Sequence, residues 1–436
     1  MAEIPISRLQ NGSCSSPLSP QERRSTWVVL AVALFARLIV LSLVVVFNPH
    51  NWLYSRGIEM GLLANSLLHG LGYSSPFGGF TGPTAFIAPG YPTLIAAIFL
   101  VFGSYSFASA IAIMVLQIAV SLLTIAWMMQ IARETLGFRT AVLAGAFWAI
   151  SLPLLWIPTI FWETSISACA LVGMIAFALR ARRRPTIATW VLMGSCSAVI
   201  ALINPALLPS LVAILGWLAW QTRQVSRTAP LFGLLALVLV FSPWPIRNAY
   251  RFHAFIPMRS TVGFELWMGN RPGATGFLDE SLFPYYNHQE LASYVAMGEL
   301  AYTRDKSQQA WAYIRAHPGT FLNLSVRRCF RFWMGTGSAG GSPIFVLHAV
   351  TTTLLGAIGL LLLYRKRMRD FAALIALPLL LFPLPYYITH AEFRYRLNID
   401  PLMTILAAYA VVQLAATWLR RQPAAQPPKL AASAAD

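Results

Sequence analysis

Long apolar segments recur along the whole chain, and this feature constrains its fold more than any other. Ten of them are predicted to be transmembrane helices, because about 20 apolar residues cross a bilayer as a helix. They are Thr26–Phe47, Ser106–Ala132, Thr140–Pro158, Phe161–Leu179, Ile187–Ile203, Ala206–Trp220, Ala229–Trp244, Pro343–Tyr364, Phe371–Ile388 and Ile399–Leu419. Since 57% of the 436 residues are hydrophobic and only 11% are charged, the predicted fold class is an all-α polytopic membrane protein.

The ends of this bundle are also predicted. Residues 1–25 contain Ser and Pro, and residues 422–436 are rich in Pro and Ala, so both are expected to be disordered tails. The first span is longer than the apolar part of a signal peptide and is interpreted as an uncleaved anchor. Gly90–Gly103 is apolar but has only 14 residues, so we expect a juxtamembrane helix at the interface. Residues 26–421 then form one transmembrane domain.

The orientation of the bundle is predicted from the arginine-rich connections between spans. These clusters are Arg23 and Arg24; Arg133 and Arg139; Arg180, Arg182, Arg183 and Arg184; Arg223 and Arg227; Arg365, Lys366, Arg367 and Arg369; and Arg420 and Arg421. They all fall on one side of a ten-span bundle, which the positive-inside rule makes cytoplasmic. Both termini are therefore predicted in the cytoplasm. A first loop (48–105), a large loop (245–342) and the turn His390–Arg396 are predicted to face outward.

Glu59 is the candidate catalytic base. It lies in the first loop, in a segment whose apolar residues repeat at helical spacing, and it is the only acidic residue between Glu22 and Glu134. A short helix can direct such a carboxylate at a cleft, where low-dielectric surroundings raise its proton affinity. The alternative is a solvated charge on an interfacial helix.

Two other charged residues lie in or beside predicted spans. Glu163 stands at the outer start of the fourth span, where it either faces a polar cavity or is stabilised by the helix dipole. Arg37 stands in the middle of the first span. We interpret it as a member of a structural ion pair inside the bundle.

The large loop combines glycine turns, aromatic residues and hydrogen-bonding side chains, as a sugar or lipid-headgroup site would. Its candidate residues include Arg247, Glu265, Asn270 and His288. His288 and Glu290 are two positions apart and do not share a helix face, so they do not predict a metal pair. The four cysteines have no metal-binding spacing.

Two groups of arginines are candidates for binding a lipid phosphate, because guanidinium groups bind phosphate bidentately. The groups are Arg327, Arg328 and Arg331 before the eighth span, and Arg394 and Arg396 before the last span. Attraction to anionic headgroups is the alternative explanation for both. The net charge of +17 is distributed in such clusters at the ends of spans and does not predict nucleic-acid binding.

Several segments, in this order along the chain, resemble the GT-C membrane glycosyltransferases. They are Asn65–Tyr73, Thr81–Ala85, Ala88–Pro92, Trp162–Glu163, Pro243–Asn248 and Phe393–Arg396. The most similar members are bacterial proteins resembling protein O-mannosyltransferases and the aminoarabinose transferase of lipid A, and the resemblance covers roughly Thr26 to Arg421. It implies a sugar donor on a polyprenyl phosphate, inverting transfer, and a catalytic carboxylate in the first loop, where Glu59 stands. The family often has Asp or an acidic pair there, whereas this chain has a single Glu.

The predicted function is therefore transfer of a sugar from a polyprenyl-phosphate donor to an acceptor hydroxyl of a lipid, glycan or protein, on the outer face of a bacterial inner or plasma membrane. Glu59 would take the acceptor proton, and the arginine groups would stabilise the departing phosphate. Substrate contacts are expected from Glu163, Tyr91, Arg247, Glu265, Asn270 and His288. No cofactor or metal is predicted, since no DxD-type pair occurs. The alternatives are a polymerase or ligase of lipid-linked oligosaccharides, and a transporter or flippase, for which no internal repeat is found.

Overall fold

The computed structural model describes residues 17–47, 57–335 and 342–421, with only the backbone of Arg421. The α-helices in these ranges are α1 Pro20–Phe47, α2 Ile58–Leu68, α3 Gly90–Phe102, α4 Phe107–Thr135, α5 Phe138–Ile150, α6 Leu152–Trp156, α7 Thr164–Ala181, α8 Ile187–Ile203, α9 Leu208–Thr222, α10 Ala229–Phe241, α11 Pro243–Phe252, α12 Val262–Gly269, α13 His288–Met297, α14 Glu299–Ala316, α15 Pro318–Met334, α16 Pro343–Arg365, α17 Arg369–Leu381, α18 Leu384–Ile388, α19 Phe393–Arg396 and α20 Asp400–Arg421. Short 3-10 helices cover Ile157–Thr159, Pro205–Leu207 and Glu280–Leu282. These ranges contain no strand, only a single bridge between Ser74 and Pro83.

Eight helices among the described residues are long and apolar enough to cross a membrane. They correspond to eight of the predicted spans: α1, α4, α7, α9, α10 with α11, α16, α17 with α18, and α20. The predicted span Ile187–Ile203 is a helix, α8, of 17 residues. At 1.5 Å per residue it is about 26 Å long, a little shorter than the hydrocarbon core. The predicted juxtamembrane segment is the 13-residue helix α3.

Close packing of α8 against α10 depends on two glycines. A Cβ atom added to Gly194 would lie only 1.9 Å from the carbonyl oxygen of Gly233. Small residues of this kind let two helices in a membrane approach backbone to backbone. Although α8 is shorter than the other spans, it packs backbone to backbone against α10 and so belongs to the bundle.

The predicted span Thr140–Pro158 is not one straight helix. It consists of α5 and the helical segment Leu152–Thr159, bent by 63° at the break. Pro153 in the first turn of α6 has no backbone N–H, so it cannot continue the hydrogen bonding of α5. The carbonyl groups at the end of α5 then need other partners.

Arg37 supplies those partners from α1. Its guanidinium donates hydrogen bonds to the carbonyl oxygens of Ala149 and Trp148 at 3.3 and 3.4 Å, and to Ser121 Oγ at 3.1 Å. A cation is also favoured beside a helix C-terminus by the helix dipole. The predicted ion pair of Arg37 is therefore wrong for the described residues, because its partners are backbone oxygens and a hydroxyl rather than a carboxylate.

The first helix begins earlier than the sequence predicted. Ser19 Oγ accepts a hydrogen bond from the Glu22 amide at 3.2 Å, and the Glu22 carboxylate accepts one from the Ser19 amide at 3.0 Å. This reciprocal capping box starts a helix directly after Ser19. The predicted disordered tail 1–25 therefore extends too far, since residues from Pro20 onward are helical. The predicted tail 422–436 lies outside the described residues.

The first loop and the large loop pack on each other through an aromatic core. Its buried members are Phe77, Phe86, Phe264, Leu266, Trp267, Met268, Tyr294, Tyr302, Ala310 and Ile314. Phe77 contacts Phe86 of the same loop and Tyr294 of the large loop edge to face, at 4.9 and 5.0 Å between ring centres. Such pairs add to the energy of burial, and the contact with Tyr294 joins the two loops.

The buried carboxylate of Glu299 is the polar link between the same loops. It accepts hydrogen bonds from the Ala85 amide, Ser260 Oγ and Tyr294 Oη, each at 2.7 Å, and from Thr84 Oγ1. A buried carboxylate needs such donors to offset its desolvation. These bonds fix the segment 84–88 and the segment around Ser260 against each other, and both segments border the cavity described next.

Candidate active site

A cavity of about 440 Å³ lies beside the ends of several spans. Segments of the first loop, the start of α7, α12 and the turn around α19 all contribute to its wall. Its ionisable lining residues are Glu59, Glu163, Glu265, Arg259, Arg394, His390, Tyr91, Tyr386 and Tyr395. The rest of the wall is largely apolar, so these groups act on one another at short range in a medium of low dielectric.

The position of Glu59 depends on the glycine that precedes α2. Gly57 has φ of 76°, and a Cβ atom added there would lie 2.2 Å from the carbonyl oxygen of Phe161. Only glycine fits both the left-handed backbone and this close approach. As a result, the first turn of α2, which carries Glu59, is pressed against the segment that carries Trp162 and Glu163.

The environment of Glu59 favours a carboxyl group that can accept a proton. Burial raises its pKa above the ordinary value for glutamate, while a hydrogen bond from its own backbone amide and the charges of Arg394 and Arg259 lower it. The burial effect dominates, as expected for a carboxylate in a low-dielectric site. A general base with a raised pKa is better matched to proton transfer near neutral pH than an ordinary glutamate.

Arg394 is the cationic group of the cavity that is most firmly fixed. Its guanidinium carbon lies 4.0 Å from the centre of the Trp162 ring and 4.9 Å from that of Tyr395, and its Nε donates to Glu392 Oε2 at 3.1 Å. Burial lowers the pKa of Arg394, but Tyr395, Glu392 and Glu163 raise it more, so the net shift is upward. The group therefore stays charged and keeps a defined orientation.

His390 connects Glu265 with Tyr395. Its Nε2 lies 2.7 Å from Tyr395 Oη, a hydrogen bond. Its Nδ1 lies 3.3 Å from Glu265 Oε2, although neither of these two atoms has a partner with hydrogen-bond geometry among the described residues. Burial lowers the pKa of His390, while Glu265 and Glu392 raise it; the net shift is downward. Arg259 lies 3.6 Å from Glu265 Oε1 on the other side.

Besides Glu265 Oε2 and His390 Nδ1, two more polar atoms on the cavity wall lack a hydrogen-bond partner among the described residues. Tyr91 Oη and Glu163 Oε2 are buried and make no hydrogen bond within the described ranges. Both residues line the cavity, and leaving such groups unpaired is costly unless a ligand or water completes them. Hydroxyl groups of a sugar are partners of the right chemistry for a carboxylate oxygen and a phenol.

A smaller cavity, of about 70 Å³, lies beside the first. Glu59, Trp162 and Arg394 line both cavities. The smaller one is also lined by Glu280, Tyr285 and Tyr286, and the two tyrosine rings contact each other edge to face at 5.0 Å. Glu59 can thus be reached from two directions.

The structure brings together five of the predicted site residues: Glu59, Glu163, Tyr91, Glu265 and Arg394 line the same cavity. The other predicted site residues do not line it. Arg396 is fully buried in an ion pair with Asp400, and Arg247 donates to the carbonyl oxygens of Thr84 and Tyr73 at 2.7 and 2.8 Å. Both guanidinium groups are occupied by the protein itself, so direct contact with a substrate does not fit their positions.

The second arginine group also lies away from the cavity. Arg328 is buried and donates to the carbonyl oxygens of Gly269 and Ile388 and to Asn270 Oδ1, which makes both Arg328 and Asn270 links between α15, α12 and α18. Arg331 lies 3.5 Å from the ring centre of Phe277. Arg327 and His288 are exposed. None of these five residues lines either cavity, and their predicted contacts with donor or acceptor stay predictions.

Sequence reasoning missed Arg259, Tyr386 and Trp162 as residues of the cavity wall. Arg259 follows Met258 in a short irregular segment, and nothing in its sequence neighbourhood distinguishes it from Arg247 or Arg251. In the sequence, Trp162 stands out only as the neighbour of Glu163. Its position over Arg394 depends on contacts between segments that are far apart in the chain.

In the described part of the chain, no three His, Cys, Asp or Glu side chains lie close enough to hold a metal ion.

The helical bundle and its polar cavity define a GT-C-like fold, the fold of membrane-embedded glycosyltransferases. The oligosaccharyltransferase AglB from Archaeoglobus fulgidus, in complex with an inhibitory peptide and a dolichol-phosphate, matches with a TM-score of 0.53 and 15% identity, over 94% of this chain and 53% of AglB. The apo form of the oligosaccharyltransferase from the same organism matches with a TM-score of 0.53 and 14% identity, over 90% of this chain and 51% of that one. ArnT from Cupriavidus metallidurans bound to undecaprenyl phosphate has a TM-score of 0.40 and 12% identity, over 89% of this chain and 78% of ArnT.

The structural similarity to AglB confirms the predicted GT-C-like fold class. The chain spans about half the length of AglB, and identities this low establish a common fold only. No protein-family model matches the sequence, and no curated protein matches it.

Proposed function

We propose that the protein is a membrane glycosyltransferase that moves a sugar from a polyprenyl-phosphate carrier to an acceptor hydroxyl on the outer face of the membrane. The observation that carries this proposal is one cavity that holds a half-buried carboxylate of raised pKa, Glu59, together with a fixed guanidinium, Arg394. The presence of a dolichol-phosphate in the AglB complex supports a lipid phosphate as the carrier.

In this reaction Glu59 accepts the proton of the acceptor hydroxyl as its oxygen attacks the anomeric carbon of the sugar. A new carbon–oxygen bond forms on one face of the sugar while the bond to the carrier phosphate breaks on the other, which inverts the anomeric centre. The bonding electrons leave with the phosphate. Arg394 stabilises the negative charge that grows there, because a preorganised cation in a water-poor site acts where charge develops.

The two cavities fit the two substrates. The larger one has an extended apolar wall and the cations Arg394 and Arg259, which suits the end of a polyprenyl phosphate and its sugar. The unpartnered Tyr91 Oη and Glu163 Oε2 would bind sugar hydroxyls there. The smaller one, with Glu280, Tyr285 and Tyr286, would admit the acceptor to the other side of Glu59, as an attack opposite to the leaving phosphate requires.

Comparison of cells with and without the gene tests this function. Envelope lipids and glycoproteins are analysed by mass spectrometry in cells that carry no gene, the wild-type gene, Glu59→Gln or the control Glu134→Gln. The control replaces a carboxylate that lies outside the cavity and is paired with Arg183 at 3.5 Å. We expect one acceptor to gain a sugar mass with the wild type and the control only. Transfer with Glu59→Gln should fall by roughly 10²-fold, the scale of acid–base catalysis.

Two results would contradict the proposal. Normal transfer by Glu59→Gln would remove Glu59 from the chemistry. A flippase would be indicated instead if the strain without the gene left the acceptor unmodified and accumulated the carrier-linked sugar on the inner side of the membrane.

A further inference from the structure

A chain of buried polar side chains lies next to the cavity but outside it. Ser151 Oγ lies 2.7 Å from His348 Nδ1, His348 Nε2 bonds to one carboxylate oxygen of Asp400, and the other oxygen of Asp400 accepts from Arg396. Arg396 also donates to Thr352 and to the carbonyl oxygen of Ala349. These contacts join the break between α5 and α6 to the starts of α16 and α20.

The same chain holds α19, the short helix that carries Arg394. Phe393 and Arg396 are three positions apart and therefore lie on one face of this single turn. Phe393 stacks on Phe345 of α16 at 4.8 Å between ring centres, while Arg396 is bound to Asp400 with no exposed surface. The two residues between them, Arg394 and Tyr395, line the cavity.

A helix of one turn has no stability of its own, because forming the first turn is unfavourable. Its position must come from the contacts of its two ends. At the C-terminal end those contacts are the hydrogen bonds of Arg396 to Thr352 and Ala349, its ion pair with Asp400 and, through Asp400, the bond from His348. Displacement of this end would move the Arg394 guanidinium relative to Glu59.

We infer that Asp400 and His348 are positioning residues for the transfer reaction: by fixing Arg396, they hold Arg394 where it binds the carrier phosphate. The inference rests on the proposed function. Neither residue lines either cavity, so both act through α19 rather than on a substrate. A displacement of about 1 Å in a group that binds a reacting phosphate can cost roughly 10²-fold in rate.

The order Ser151, His348, Asp400 is also that of a hydrolase triad. The positions argue against such a reaction, because Asp400 is already paired with Arg396 and Ser151 lies at neither cavity. A nucleophile would need access to a substrate.

The test measures binding of undecaprenyl phosphate to purified protein in lipid nanodiscs, together with kinetics on the donor and acceptor that the mass-spectrometric comparison of cells identifies. The variants are Asp400→Asn, which removes the charge of the pair, and His348→Gln, which keeps a donor toward Asp400. The control is Glu290→Gln, which breaks a different buried ion pair, with Lys306 at 2.7 Å, in the large loop. Thermal unfolding is followed for each variant.

We expect Asp400→Asn to weaken binding of undecaprenyl phosphate and raise the KM for the donor at least 10-fold, with the KM for the acceptor unchanged, and His348→Gln to stay close to the wild type. His348→Leu should behave like Asp400→Asn. Glu290→Gln should lower the unfolding temperature without changing the binding of undecaprenyl phosphate. If Asp400→Asn does not fold, the pair His348→Leu and His348→Gln decides the question.

The failures of the two proposals give different results. Wild-type protein that does not bind undecaprenyl phosphate contradicts the proposed function. Wild-type protein that binds it, with folded Asp400→Asn or His348→Leu protein that binds it equally well, contradicts the positioning role and leaves the pair as a structural link only.

Discussion

The guanidinium carbon of Arg394 lies 4.0 Å above the centre of the Trp162 ring. A cation at this distance from an indole face is attracted to it, most strongly where water is excluded. Trp162 directly precedes Glu163, and the carbonyl of Phe161 contacts the glycine before Glu59. One short segment, 161–163, therefore carries Glu163 and contacts both Arg394 and the start of the helix with Glu59, the proposed catalytic carboxylate.

Replacement of Arg394 tests its role in binding the donor. Arg394→Lys keeps the charge but loses the planar fork that binds phosphate bidentately and stacks on Trp162. We expect inhibition by polyprenyl phosphate to weaken by roughly 10-fold or more, the loss of one charge-assisted hydrogen bond, with little change in the KM for the acceptor. The control is Arg327→Lys, at an exposed arginine away from the cavity. Unchanged inhibition in Arg394→Lys would show that the charge alone is sufficient.

The pH dependence of transfer tests the protonation state of Glu59. Burial raises its pKa, and a general base must be ionised to accept a proton. The value of kcat/KM should therefore fall as the pH decreases through this raised pKa, at a higher pH than an ordinary glutamate of pKa about 4.3 would give. In Arg259→Gln the fall should move to still higher pH, because the Arg259 charge lowers the Glu59 pKa. A profile in Arg259→Gln shifted to lower pH would contradict this assignment.

Gly57→Ala tests the close contact before α2. The added methyl would lie 2.2 Å from the Phe161 carbonyl oxygen on a backbone with positive φ, so α2 must move and carry Glu59 with it. We expect transfer to fall at least 10-fold, on the scale of a 1 Å misplacement. Gly78→Ala is the matched control, because Gly78 has φ of 83° but nothing within 4 Å of an added Cβ. Equal losses in both variants would attribute the effect to backbone strain alone.

Arg37→Met tests the helix break. The variant leaves the carbonyl oxygens of Trp148 and Ala149 without the guanidinium that binds them. An unsatisfied buried acceptor costs about 1–3 kcal/mol, so the free energy of unfolding in a denaturing detergent should fall by that order. Arg24→Met, at an exposed arginine of the same helix, should leave it unchanged. No loss in Arg37→Met would mean that water satisfies these carbonyl groups.

The predicted orientation is tested by labelling single cysteines in a chain without its native cysteines. An impermeant thiol reagent added to intact cells should label Phe80→Cys and Glu280→Cys but not Arg183→Cys or Arg367→Cys. The positive-inside rule is the basis of this expectation. Labelling at position 183 would contradict the predicted topology and would place the site on the other face of the membrane.

The sequence predicts the spans well because length and apolar character decide them locally. Pro153 is a local signal for the break at Ser151, but the partner of the carbonyl groups before the break, Arg37, comes from another helix and has no local signal. Arg394 and Arg396 show the same limit at the site. In the sequence they form one equivalent pair, whereas the single turn of α19 places Arg394 at the cavity and Arg396 in the ion pair with Asp400.

The arginines of the large loop could not be separated by sequence either. Arg247 and Arg259 both follow aromatic or apolar residues, but Arg247 is taken up by the carbonyl groups of Thr84 and Tyr73, while Arg259 lines the cavity. Which of the two is available to a substrate depends on how the first loop packs, and no local pattern carries that information.

The bonds that Glu299 makes join parts of the chain that are synthesised at different times. Glu299 follows Ala85, whose amide it binds, by 214 residues. At synthesis rates of about 5–20 residues per second, roughly 10–40 seconds separate the two residues on the ribosome. Arg394, which lines the cavity together with Glu59, is synthesised later still. In a growing chain the proposed proton acceptor Glu59 therefore precedes the rest of its cavity, and the proposed transfer can begin only after α14 and the segment with Arg394 have been synthesised and have packed against the first loop.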